Sequence, residues 1–159
     1  MNRSATFSAD RVYRYTLWRE WLGGEGICQF IGLNPSTADE FRDDPTVRRC
    51  IGYAKGWGFQ ALCMTNIFAY RSTDPSALRR VSDPVGSEND RYLVEVSKAA
   101  LVVVAAWGAH GTLHDRAKHV VAMLGPRLSA LRLTQAGHPC HPLYLPKYLT
   151  PTPYGEAAL

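Results

Sequence analysis

FIGLNPSTADE (residues 30–40) opens as an apolar strand and closes as a hydrogen-bonding loop. Phe30, Ile31 and Leu33 surround Gly32, and Asn34-Pro35-Ser36-Thr37 follows at once. A continuous apolar run bounded by glycine and proline fits a strand buried on both faces. Two readings account for the polar residues at its end. Asn-Pro is a common opening for a turn. An open α/β sheet also binds its ligands just outside the carboxyl ends of its strands.

The sequence outward from this stretch decides which kind of sheet it joins. Asp43-Asp44-Pro45 reads as a helix start, with Asp44 as N-cap and Pro45 at the first helical position. Val47, Cys50, Ile51 and Ala54 then recur at helical spacing. Residues 61–69 form a second apolar run that contains Asn66, and residues 71–84 a polar loop with prolines. Residues 87–98 read as a helix with Tyr92, Leu93 and Val96 inward. Residues 101–106 are a third buried strand, 114–124 a helix stopped by Gly125-Pro126, and 131–133 a short fourth strand. Upstream, the alternation over residues 12–17 suggests an early strand. The tail, 137–155, is rich in proline and tyrosine and is expected to be irregular. Strands alternating with helices predict a three-layer α/β/α fold with a four-stranded, mostly parallel central sheet.

The totals agree with one domain over residues 1–159. The length suits a single core, and 46% hydrophobic with 20% charged residues marks a globular chain, not a disordered one. No apolar run approaches the roughly 20 residues that span a bilayer, and the first residues lack the apolar core of a secretory signal. A cytoplasmic protein without a membrane partner is therefore expected. The formal charge of +4 suits an anionic partner such as nucleic acid. The four cysteines, Cys28, Cys50, Cys63 and Cys140, form no C-x-x-C pair. They read as reduced thiols, so neither a metal nor a cofactor is expected.

Each predicted strand ends in residues able to do chemistry. The first gives Asn34, Pro35 and Ser36, the second Asn66, the third Trp107 and His110, and the fourth is followed by His138 and His141. In a parallel sheet these ends share one edge and converge on one cleft. An asparagine amide offers both a donor and an acceptor, which suits the edge of a nucleobase. A neutral histidine can donate to a developing oxyanion. Each residue also has a structural reading. Asn66 can satisfy a neighbouring backbone group, His110 can cap a helix, and the segments around His138 and His141 can be packing turns. Four such ends in one chain favour the functional reading.

The same residues resemble the motifs of the uracil-DNA glycosylase superfamily. A strand there ends in G-x-[ND]-P, which carries the residue that positions water. GLNP (32–35) closely resembles the G-I-N-P form of the mismatch-specific branch. LCMTN (62–66) looks like the later strand whose asparagine reads the base. VVVAAWGAHG (102–111) is similar to the strand followed by L-L-W-G. HPCHPLYLP (138–146) resembles the H-P-S-P-L loop, which supplies a histidine and enters the minor groove. The whole chain more closely resembles the uncharacterised bacterial and phage family DUF1643. The segments that carry this are LNPSTADE, DDPTVRRCIGYAKGWGF, NIFAYRSTDP, NDRYL, AWGAHG and HPLYL.

The glycosylase resemblance implies a uracil-DNA-glycosylase-like fold and a reaction. A modified or mismatched base leaves the DNA stack, Asn34 positions water, and Asn66 reads the base edge. His141 or His138 donates to the departing base. Gly32, Pro35, Ser36, Trp107 and His110 would border the substrate. The chain departs from the pattern in three ways. Ser36 stands where the uracil-specific branch has a tyrosine. The stacking aromatic has three candidates, Phe41, Trp57 and Phe59. The acidic residues Asp39, Glu40, Asp43 and Asp44 have no counterpart. Asparagine is a poor general base, so two alternatives stand beside hydrolysis. One is a non-catalytic nucleic-acid or nucleotide-binding module. The other is a nucleotide-processing enzyme that uses the acidic loop. Arg48, Arg49, Arg71, Arg79 and Arg80 would contact phosphates.

Overall fold

The computed structural model describes residues 1–154. The irregular tail expected over 137–155 ends, with Gly155, outside the described residues. Among the described residues, seven strands form one mixed sheet. They are β1 (Asn2–Phe7), β2 (Arg14–Glu20), β3 (Ile27–Gly32), β4 (Ala61–Asn66), β5 (Val102–Ala105), β6 (Leu128–Ala130) and β7 (Thr152–Pro153). Their order across the sheet is β1-β2-β4-β3-β5-β6-β7. The pairs β4/β3, β3/β5 and β5/β6 are parallel, whereas β1/β2, β2/β4 and β6/β7 are antiparallel.

The expected four-stranded sheet is thus too small. The inner four strands are parallel, and three further strands extend the sheet antiparallel at its edges. β2 meets the early strand expected over residues 12–17, whereas the outermost strands β1 and β7 are hard to see from sequence because they bury little. The first half of β1 is exposed and β7 has two exposed residues. The fourth parallel strand also starts earlier than expected. A short 3-10 turn, Gly125–Arg127, leads straight into it. Leu128 and Ala130 are buried on one side of the sheet, and Leu131 already packs into the core on the other.

Among the described residues, three α-helices cover the two faces. They are α1 (Pro45–Gly56), α2 (Asn89–Ala99) and α3 (Arg116–Leu124). α1 buries Val47, Cys50, Ile51 and Ala54 with Cys28, Phe30 and Val104. Leu93 of α2 and Val120 and Leu124 of α3 pack with Ile31, Val103 and Ala105 on the opposite side. The strand period of two sends neighbours such as Phe30 and Ile31 to opposite cores, and both are 0% exposed. Burying each contributes about 1.5–3 kcal/mol. Burial on both faces favours a continuous apolar run, as at residues 30–33, and the buried Gln29 of the same strand is met by Thr65, to whose hydroxyl it donates at 3.0 Å.

Two packing features place the functional residues. The chain passes from β3 to β4 on one side and then to β5 on the other, so β3 lies at the reversal of strand order. The segment after residue 141 is fastened to α1. Arg49 donates to the Leu145 carbonyl at 2.7 Å, Tyr53 to that of Pro146 at 2.7 Å, and Trp57 to that of Leu149 at 3.1 Å. Among the described residues no helix is long and apolar enough to cross a membrane.

Candidate functional site

A cavity of about 210 Å³ lies at the carboxyl ends of β3 and β4, bordered by the start of α1 and by His141. Gly32, Asn34, Pro35 and Ser36 line it from β3 and the loop that follows. Asn66 enters at the last residue of β4, pairing in register with Gly32. A Cβ at position 32 would stand 2.8 Å from Asn66 Oδ1, closer than side chains tolerate, so only glycine leaves the amide in place. The backbone of Asn66 is held from the other side. Asn89, fully buried on the first turn of α2, donates to the Asn66 carbonyl at 2.8 Å and to that of Ile67 at 3.1 Å. Asn66 itself is 4% exposed, and its Nδ2 is buried without a partner among the described residues. An unmet buried donor is unfavourable by about 1–3 kcal/mol, which a ligand oxygen in the cavity would relieve.

Asn34 presents the opposite polarity. Its Nδ2 donates to the Ser72 carbonyl at 2.9 Å and more weakly to that of Tyr70 at 3.4 Å. Ser72 in turn donates its N–H to the Pro35 carbonyl at 3.0 Å, so the two loops are tied. The nitrogen end of the amide is therefore anchored. Among the described residues Oδ1 receives no protein donor and remains available as an acceptor.

His141 caps a 3-10 turn, Pro142–Tyr144, by accepting the Leu143 N–H on Nδ1 at 3.2 Å. That bond puts the proton of the neutral ring on Nε2, making it a donor. The ring lies at the exposed rim of the cavity. Packing around it lowers its pKa from the ordinary imidazole value, and the Asp44 carboxylate opposes that shift.

The acidic loop divides into structural and cavity-facing parts. Asp39 accepts the N–H groups of Phe41 and Arg42, both at 2.8 Å. Glu40 pairs with Arg11 at 2.8 Å, and Asp43 with the fully buried Arg19 at 2.7 Å. Only Asp44 among these four lines the cavity. One of its oxygens caps α1 by accepting the Val47 N–H at 2.8 Å. It both caps the helix and carries a carboxylate into the site.

Other expected residues lie elsewhere. Trp107 is 2% exposed, stacks edge-on against Tyr154 at 5.9 Å, and crowds Gly111, where a Cβ would stand 2.5 Å from its ring. W-G-x-x-G at 107–111 thus packs closely outside the cavity, with Trp107 Nε1 buried and without a partner among the described residues. His110 is exposed beside Leu78, Arg79 and Leu113 in a separate pocket. His138 sits in the turn bonded to Thr134, outside the cavity lining. None of the three stacking candidates reaches the cavity. Phe41 is 78% exposed, Trp57 stacks on Phe30, and Phe59 packs on the core. Arg71 stacks on Phe7 and Arg80 pairs with Asp74.

The sequence reading missed Arg14, which lines the cavity while 3% exposed. Its only signal was a charge within an otherwise aromatic alternation. A larger groove, about 410 Å³, runs beside the site between α1 and the final loop and is lined by Arg48, Arg49 and Lys147. We place the functional centre in the smaller cavity because it holds the strand ends and the unpartnered amide. Among the described residues no group of three or more His, Cys, Asp or Glu could hold a metal ion.

The model of a family described as "Protein of unknown function (DUF1643)" matches residues 14–143. No curated protein and no solved structure matches the chain.

Proposed function

The chain belongs to the DUF1643 family, and from its cavity we propose that it recognises a nucleobase and hydrolyses the N-glycosidic bond of a modified or mismatched base in DNA. The scaffold we propose is uracil-DNA-glycosylase-like, extended by antiparallel edge strands. The observation that carries this reading is that Asn34, Asn66 and His141 line one cavity. A volume of about 210 Å³ is below the roughly 300–1,000 Å³ of pockets for drug-sized ligands, and suits a single base.

In this reading Asn66 bonds the base edge. The free Oδ1 of Asn34 holds the attacking water, and the carboxylate of Asp44 supplies the basicity that an amide lacks. His141 Nε2–H donates to an oxygen of the departing base, where negative charge develops. The groove with Arg48, Arg49 and Lys147 offers cations for the flanking phosphates, a source of affinity without sequence reading.

The test is a panel of oligonucleotides carrying uracil, hypoxanthine, mismatched thymine or oxidised pyrimidines, scored for abasic sites. Excision of at least one base, reduced strongly by Asn34→Ala with little change in binding, is expected, because water positioning acts in the transition state. If every substrate stays intact, hydrolysis is excluded and only base binding remains. The position of Asp44 favours a second reading, a nucleotide-processing enzyme with Asp44 as general base. Turnover of free nucleotides that Asp44→Asn abolishes, with no excision from DNA, would select it.

A further inference from the structure

Two arginines on β2 are buried, and their surroundings differ. Arg19, at 0% exposure, is fully engaged. Its Nε pairs with Asp43 at 2.7 Å, Nη1 donates to the Trp18 carbonyl at 2.9 Å, and Nη2 donates to those of Asp39 and Arg42 at 2.6 and 3.1 Å. The Arg14 side chain, at 3% exposure, has one partner among the described residues, the Ala38 carbonyl at 3.0 Å from Nη1. Among the described residues its Nε is buried with no partner and no carboxylate forms an ion pair with it. Burial lowers its pKa to about 10, against the pull of Asp44, so the group stays charged at neutral pH. A buried cation without a counter-charge is strongly unfavourable, and a perturbed buried group that lines a cleft marks a candidate functional site.

Arg14 lines the same cavity as Asn66, the other residue there with a buried, unpartnered donor. The neighbouring charges do not cancel it. Arg19 is neutralised by Asp43, and Arg71 adds a further positive field. Asp44 is the one carboxylate in the lining, and it sits at the N-terminus of α1, where the helix dipole offsets part of its charge. The inner end of the cavity is therefore rich in donors and carries positive charge.

We propose that Arg14 is the resident counter-charge for an anionic base, so that the cavity binds an oxo-substituted nucleobase in its ring-anion form in preference to the neutral form. This inference rests on the nucleobase reading and goes further by assigning the charge state of the ligand and the residue that selects it. In excision the electron pair of the broken carbon–nitrogen bond leaves on the base ring and spreads onto its oxygens. The water oxygen bonds to the sugar carbon, and its proton passes to Asp44. Arg14 would hold the base anion until solvent protonates it. Charge-assisted bonds of this kind are about twice as strong as neutral ones.

The test uses two free pyrimidines of one ring size at neutral pH. Barbiturate is ionised there and uracil is neutral. Calorimetric titration of the wild-type protein should show barbiturate binding at least about tenfold more tightly. Arg14→Gln should erase that preference and Arg14→Lys should keep part of it, while Asn66→Ala should weaken both ligands. The wild-type comparison stands even if a variant fails to fold. Uracil binding as tightly as barbiturate would overturn the role of Arg14 and leave base recognition standing. Inorganic phosphate binding as well as barbiturate would also overturn it, because the site would then select charge without a base. Binding of neither pyrimidine would overturn the base reading and this inference together.

Discussion

Gly32 shows how closely single residues are fitted to one another at the site. Its missing side chain leaves 2.8 Å between a would-be Cβ and Asn66 Oδ1. Gly32→Ala should therefore push the Asn66 amide toward the cavity. Overpacking of this size is unfavourable by about 1–3 kcal/mol, but an amide beside open space relaxes toward the low end. We expect a melting-temperature loss of about 2–4 °C in thermal unfolding, with base binding weakened by about tenfold or more in calorimetry. Unchanged binding would mean that Asn66 does not read the ligand. His141 makes a second residue-scale prediction. Its Nδ1 must be unprotonated to accept the Leu143 N–H, and packing lowers its pKa. The cap's stability is fully present above the unfolded imidazole value near 6.5 and is lost as pH falls through the lowered folded value. NMR titration should place the His141 midpoint below that of the urea-unfolded chain, and a higher midpoint would refute the cap. The placement of Asn34 and Asn66 at the ends of β3 and β4 was legible from the apolar runs that carry them, whereas His141 was not separable from His138, because both stand in a proline-rich loop without a periodic pattern. Arg14 was not legible, because a strand buried on both faces hides a charge that periodicity places outside.

At the scale of elements, Asp44 and Asp43 separate two roles that adjacent carboxylates in one loop share out. Asparagine caps helices about as well as aspartate. Asp44→Asn should therefore unfold within a few tenths of a kcal/mol of wild type, whereas Asp44→Ala should lose about 1 kcal/mol. If Asp44 is the base, both variants should lose turnover alike, and a fully active Asp44→Asn would reduce it to a cap. Asp43 has the larger structural part. It neutralises Arg19, whose other donors hold the Trp18, Asp39 and Arg42 carbonyls and so clamp the loop ahead of α1. Asp43→Ala leaves that buried guanidinium without its anion and should lower stability in denaturant unfolding by about 3–5 kcal/mol. A loss below about 1 kcal/mol would mean that the carbonyls alone satisfy Arg19. The start of α1 was legible because Asp-Pro at a helix opening has a steric and hydrogen-bonding cause. That Glu40 and Asp43 serve as ion-pair partners was not legible, since Arg11 and Arg19 lie at least twenty-four positions away, whereas the turn made by Asp39 is local, to the Phe41 and Arg42 N–H groups.

At the scale of the molecule, the four inner strands follow from apolar runs separated by helices, and their carboxyl ends gather the site. Of the antiparallel flanks, β2 was legible as the alternation over residues 12–17, whereas β1 and β7 escaped reading because the first half of β1 and both residues of β7 are exposed, leaving little apolar pattern. β2 has an architectural role beyond pairing, since it brings both buried arginines to the side of the sheet that carries the loop. The same architecture predicts where a ligand must act. The most direct measurement is nitrogen-resolved NMR of the Asn34 and Asn66 side-chain amides and the His141 ring during titration with free uracil and hypoxanthine. Saturable shifts should be large for Asn66 and His141. They should be small for Asn34 Nδ2, which the Ser72 carbonyl already holds. Binding that leaves Asn66 and His141 unmoved, or shifts confined to the groove of Arg48 and Lys147, would contradict a nucleobase site at the ends of β3 and β4.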